Sequence, residues 1–202
     1  MGKMPKFDMD EVLTKAMDQF WRYGYSATSI RDLENVTGLF RGSLYHAFGD
    51  KREMFLRALH RYDQLYREAP IRELRKHPSP RQAVLSVFEA AASEVTENGS
   101  SDGCLEVNVA LELGAHDPEV ASFVAGAFAG MAEFLHASIE RGQANGEISS
   151  EVDPEQTAKS LLGLFLGLRV LSRVSPDESF LESIVEQAEA LLPPPVPVSQ
   201  AS

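Results

Sequence analysis

The 202-residue chain has one cysteine, Cys104, so an intrachain disulfide is excluded, as is a zinc ribbon, which needs paired thiolates. A reducing, cytoplasmic setting is the expectation. Long apolar runs are also missing. The most apolar stretch, LLGLFLGLRVL at 161–171, has eleven residues with Arg169 inside it, against the roughly 20 that cross a bilayer. The first residues, MGKMPKFDMDEV, lack the apolar core of a signal peptide, and no membrane role is expected. Signatures of catalysis are absent too. The five histidines (His46, His60, His77, His116, His136) show no HExxH or paired-ligand spacing, and there is neither a nucleophile motif nor a glycine loop to cradle phosphate. The chain is expected to be no enzyme and to hold no cofactor and no metal.

What is present is ordinary globular composition, 44% hydrophobic and 24% charged, enough for one substantial core or one core with a small satellite. The charge is unevenly spread. Residues 1–76 carry 14 Lys/Arg against 11 Asp/Glu, net +3, while residues 77–202 carry 5 against 19, net −14, giving the overall −11. Such a split implies two jobs, the basic part being the candidate for a polyanion.

Nearly every periodic stretch has helical spacing, and the chain is expected to be all-α. Asp8 with Glu11 forms a candidate capping box, Leu13, Ala16, Met17 and Phe20 line one face, and Gly24 is placed to stop the helix. Thr28 or Ser29 caps a shorter helix with Ile30, Leu33 and Val36 inward, ended by Gly38. A third helix follows over RGSLYHAF. At 100° per residue, Phe40, Leu44, Ala47 and Phe48 share an inward arc, while Gly42, Tyr45 and His46 face the other way with Arg41 and Ser43 on the flanks. That outer face is short, polar and mostly uncharged, where a merely solvated face would be rich in Glu and Lys. A longer helix runs from Asp50 to about Glu68. Prolines at 70, 78 and 80 mark a linker, and further helices are expected near 80–97, 103–115, 118–145, 154–173 and 177–192. The tail from 193 to 202, PPPVPVSQAS, is expected to be disordered.

Two short helices joined by Thr37–Gly38–Leu39 form a helix-turn-helix pattern, the second helix being the one that enters a major groove. The string around it, TSIRDLENVTGLFRGSLYHAFGDKREMF, resembles the N-terminal domain of the tetracycline-repressor (TetR) family of transcriptional regulators. Phe20, Gly24, Tyr25, Thr28, Ser29 and Ile30 match its FxxxGYxxTSI element, and SLYHxFxxKxxxF continues the match through Phe55. The resemblance implies a three-helix DNA-binding domain (1–50) followed by a helical ligand-binding and dimerisation domain (51–192, with 51–68 as connecting helix). It implies a homodimer that binds double-stranded operator DNA and is released by a small-molecule effector. Carried over by position, Arg41, Gly42, Ser43, Tyr45 and His46 meet bases or phosphates, and Thr28, Ser29 and Lys51 hold phosphates. The chemistry agrees: helix N-termini present amides to anions, and Arg41 can pair with guanine in two bonds. The family usually has a small polar cap where Phe40 stands. Phe40 packs inward or touches a thymine methyl, and the sequence leaves both open. The alternative function is a helical ligand-binding protein that no longer reads DNA, opposed by the intact polar face of 41–46 and by Lys51.

In the acidic part, the helix over 118–145 puts Val120, Phe123, Val124, Ala127, Phe128, Met131, Phe134, Leu135 and Ile139 on one broad face. The run 161–171 is apolar all round, so its helix must be covered on more than one side, and Gly163 and Gly167 allow close helix contact. With the last helix it is the candidate dimer seam, a wholly intrachain core being the other possibility. An effector chamber is expected to be lined by Phe88, Phe128, Met131 and Phe165, with Cys104 and Asn108 at its polar end. The acidic surroundings favour a neutral or cationic apolar effector. Cys104, near a helix start with Asp102 or Ser101 as cap, resembles the same region in a subgroup of TetR-like regulators that respond to reactive electrophiles or small unsaturated compounds. A buried structural thiol is the other reading.

Overall fold

Polar caps set where the helices begin. In the computed structural model, which describes residues 7–98, 101–174 and 177–195, the Asp8 carboxylate accepts from the Asp10 and Glu11 amides at 2.9 and 3.4 Å and starts α1, Met9–Tyr23. Glu11 pairs with Lys15 at 2.6 Å instead of closing a capping box. Gly24, at φ +83°, ends α1 where a side chain would be strained. Ser29 and Asp32 form a reciprocal capping box on α2, Ile30–Thr37. Then come α3, Arg41–Phe48, and α4, Lys51–Asp63, the latter capped by Asp50 on the Glu53 amide at 2.9 Å. Among the described residues there is no strand.

The chain divides into two compact units. The first comprises residues up to Glu68 together with Cys104–Val124, and includes α7, Leu105–Leu113, and the opening of α8, Pro118–Ala144. Its core is made by Val12, Ala16, Met17 and Phe20 of α1, Leu33 of α2, Leu44 and Phe48 of α3, and Met54, Phe55, Ala58 and Leu59 of α4, all buried. Phe20 meets Phe55 edge to face at 5.2 Å. Each buried Val, Leu, Met or Phe here contributes about 1.5–3 kcal/mol. The sequence expectation for α2 is corrected: Leu33 is buried and Ile30 half-buried, but Val36 is exposed. Thr37 takes the inward place, its hydroxyl donating to the Leu33 carbonyl at 2.5 Å.

The second unit comprises Ala69–Gly103 and the chain from Ala125 on, with α5, Ala69–Leu74, α6, Pro80–Asn98, the remainder of α8, α9, Pro154–Val174, and α10, Glu178–Ala190. Its core gathers Val84, Phe88, Phe134, Leu135, Ile139, Leu161, Leu168, Leu181 and Ala188. Arg169 is 7% exposed yet satisfied: it donates to Glu94 at 2.6 Å and to the Gly103 carbonyl. Of the linker expected over 69–80, residues 75–79 are non-helical as expected, but its first part is helix, with a π-helical turn over Gln64–Glu68 leading into α5. Pro70 has no amide and its ring would crowd the carbonyl of Tyr66, four residues back, and the widened turn gives it room. Of the tail, residues 196–202 lie outside the described residues, so the expected disorder there falls outside them too.

Candidate nucleic-acid interface

The turn between α2 and α3 is made by Gly38, left-handed at φ +73°, whose amide closes α2 on the Glu34 carbonyl at 2.9 Å. Phe40 then occupies the N-cap position of α3 in extended conformation, with no side-chain cap bond. The Arg41 amide is satisfied from outside the helix, donating to Glu34 Oε1 at 2.6 Å. Leu44 and Phe48 are buried and Ala47 is half-buried, but Phe40 is 84% exposed. The expected inward arc therefore fails at Phe40. An N-cap residue has non-helical backbone angles, so the 100° wheel does not place its side chain.

The polar face of α3 stands as the sequence implies. Arg41, Gly42 and His46 are exposed, and Ser43 and Tyr45 are half-buried. The Arg41 guanidinium lies 5.0 Å from the Tyr45 ring centroid, a cation–π contact that pre-orients it. A Cβ added at Gly42 would meet nothing within 4 Å. A helical glycine costs about 1 kcal/mol against alanine, and no neighbour among the described residues requires it. A partner that approaches the helix backbone closely would.

The flanking phosphate candidates differ from one another. Thr28 is fully buried, and its hydroxyl donates to the Gly24 carbonyl at 2.7 Å. Its expected phosphate contact is corrected, because it locks the α1–α2 turn from the inside. Ser29 is exposed, but its amide and hydroxyl both donate to Asp32 Oδ2, at 2.8 and 2.6 Å, so a phosphate there must displace a carboxylate. The hydrogen bonds from Ser29 hold the Asp32 carboxyl below its usual range. Lys51 is half-buried with its ammonium 4.2 Å from the Tyr25 ring centroid, and burial pushes its pKa down against the pull of Glu112 and Asp32.

A further arrangement here has no local sequence signal. Glu112, on α7, accepts from the Ser26 and Tyr25 amides at 2.6 and 3.0 Å. Burial works to raise its pKa, but these hydrogen bonds, with Lys51 nearby, outweigh it and hold the carboxyl below the ordinary value. At the start of α4, Arg52 donates to Asp117 at 3.0 Å and Glu119 at 2.7 Å. These carboxylates tie the α1–α2 turn and the start of α4 to residues 112–119.

The expected effector residues are only partly brought together. Phe88 and Met131 are buried in the core of the second unit, and Phe165 is packed against that core, its ring 5.8 Å from Phe88. Phe128 is half-buried and is not part of that cluster. Cys104 and Asn108 belong to the first unit. Cys104 is itself the N-cap of α7 and 7% exposed, which corrects the expectation that Ser101 or Asp102 caps this helix. The Ser101 hydroxyl accepts the Gly103 amide at 2.9 Å instead.

Comparison with known proteins agrees with this geometry. Residues 12–58 match the family model described as bacterial regulatory proteins, tetR family, and residues 80–188 match the tetracyclin repressor-like C-terminal domain. An uncharacterized HTH-type transcriptional regulator of Bacillus subtilis, YezE, is 28% identical over 95% of this chain and 100% of its own length. The HTH-type transcriptional repressor ComR of Escherichia coli is 29% identical over 95% of this chain and 90% of its own. Among solved structures, a cysteine mutant of the TetR family regulator CifR complexed with 26-bp double-strand operator DNA is similar at a TM-score of 0.82. It shares 27% identity over 95% of this chain and 100% of that one. With the two models covering more than half of its length, the chain belongs to the TetR family of transcriptional regulators.

Proposed function

We propose that this regulator is a repressor that binds operator DNA as a homodimer and lets go when a small, neutral or cationic, apolar effector binds. The observation that carries the DNA half is the face of α3: Arg41, Gly42, Ser43, Tyr45 and His46 present donors, acceptors and one close-approach glycine on a helix whose other side is anchored by Leu44 and Phe48. Ser29 and Lys51 flank it as phosphate contacts. In functional terms residues 1–50 read DNA, and residues 51–192 bind effector and dimerise, with Phe165 against Phe88 as the start of the apolar lining. Reading DNA in this way needs no catalytic residues, and we assign the chain no enzymatic activity and a cytoplasmic place of work.

Dimerisation is supported by α9 and α10, which leave Val170, Val174 and Phe180 exposed. A Cβ at Gly163 or Gly167 of α9 would meet nothing within 4 Å, so neither glycine makes room for a neighbour among the described residues. Two reading heads also supply the paired half-sites that a short helix-turn-helix needs. The test is selection from a random-sequence duplex library with the full chain, followed by fluorescence anisotropy on the recovered duplex. A two-fold related pair of half-sites is expected, and equal binding of selected and unselected duplexes would falsify the proposal.

A further inference from the structure

Phe40 is the most exposed large apolar side chain among the described residues, and it stands at the tip of α3. Two local costs come with it. Water surrounds an aromatic ring at 84% exposure. The helix also forgoes the Ser, Thr, Asp or Asn that normally satisfies its first amides, whereas Asp8, Ser29, Asp50 and Asp177 all cap their helices by side chain in this same chain. The loss is made up from elsewhere: Glu34 Oε1 takes the Arg41 amide at 2.6 Å, and the Ser43 amide donates to the Phe40 carbonyl at 2.8 Å. Position 40 is thereby released from capping and holds a side chain that packs against nothing in the chain's cores.

We infer that Phe40 is a specificity-determining residue that reads the C5-methyl group of a thymine in the major groove, one in each half-site. The N-terminal residues of a recognition helix are those that reach base edges. A phenyl ring has no donor or acceptor for a phosphate or for a base edge, and the thymine methyl is the apolar feature that the major groove displays. Arg41 beside it supplies the polar contact, so the pair reads adjacent groups of opposite character. This inference rests on the DNA-reading proposal above and adds to it the base that position 40 selects.

The test uses the duplex recovered from the random library by the full chain, with each thymine replaced in turn by deoxyuridine, which removes the methyl and nothing else. For the unaltered protein, one thymine per half-site is expected to lose roughly three- to tenfold in affinity on that replacement, the effect of burying one methyl-sized group. Phe40→Ser is expected to be indifferent to the replacement at that thymine, while Arg41→Ala remains sensitive to it. Serine is a good N-cap, so Phe40→Ser is expected to match or exceed the native thermal midpoint, which separates loss of reading from loss of fold. A selected sequence with no methyl-sensitive thymine overturns the inference alone. So does a Phe40→Ser protein that keeps the sensitivity, or one that weakens on all duplexes equally, which marks a sugar-phosphate contact. A library that yields no preferred sequence overturns both this inference and the reading beneath it.

Discussion

The Glu112 carboxylate of α7 accepts the Ser26 amide at 2.6 Å, tying the turn between α1 and α2 to a residue 86 positions away. The same carboxylate takes the Tyr25 amide, and a Cβ at Gly24 would come within 2.8 Å of its Oε2. Backbone, carboxylate and the missing side chain at Gly24 form one close-fitting contact. Glu112→Ala is expected to destabilise the first unit by about 1–3 kcal/mol, the range for losing hydrogen bonds to a charged acceptor. Operator affinity should fall with it, because Ser29 and α2 follow directly from that turn. Urea unfolding and anisotropy on the two proteins check both. Unchanged stability in Glu112→Ala would show the contact to be idle.

That carboxylate also sets a pH dependence. Its folded pKa lies below its unfolded value, so its contribution is complete above the ordinary glutamate range and is lost as pH falls through the folded pKa. Hydrogen exchange at the Tyr25 and Ser26 amides, corrected for intrinsic rates, is expected to lose protection on acidification below about pH 4.3. In Glu112→Gln, which cannot titrate, that pH-dependent loss should disappear.

Arg41 and Lys51 are expected to fail in different ways. Arg41→Ala should cost about 1–3 kcal/mol on the preferred duplex and relax selection at one position. Lys51→Ala should weaken all duplexes alike and lower the salt slope of log K by about one. Because the Lys51 ammonium also sits over Tyr25, that variant is expected to lose roughly 0.5–1 kcal/mol of stability as well. Salt titrations of both variants on selected and random duplexes distinguish the two behaviours.

Arg169 is buried and pairs with Glu94. Arg169→Ala is expected to cost about 3 kcal/mol, through a lost pair and a vacated site, and Arg169→Met clearly less, since it refills the volume. Denaturant midpoints measure the difference. Equal effects would mean that packing volume contributes little at this position.

The seam is best probed where side chains are already exposed. Leu168 is fully buried, so a charge there would break the core, whereas Val170 and Phe180 are partly open. Val170→Arg combined with Phe180→Arg should leave helix content intact, yield a monomer in sedimentation at micromolar concentration, and abolish operator binding. A native protein that sediments as a monomer at that concentration would refute the dimer.

The sequence alone determined whatever depends on neighbours along the chain. Asp8 and Gly38 were legible as helix ends because caps and left-handed glycines act within four residues of themselves. The rows Ala16–Met17–Phe20 and Leu44–Phe48 were legible because helical period alone puts them on one face. Between Thr28 and Ser29 as cap, however, only the folded turn decided, by burying Thr28 on the Gly24 carbonyl. The helical course through Pro70 was likewise hidden, since the π-helical turn that accommodates it leaves no pattern in the residues before it. Phe40 sat on the inward arc by arithmetic and turned outward in three dimensions, because helical angles stop applying at the N-cap. The Glu34 bond that replaces its cap spans a turn, and the Glu112 clamp joins residues 86 and 87 positions apart. Such contacts form only when packed helices bring remote backbone amides within reach of a carboxylate, and no local periodicity encodes that approach.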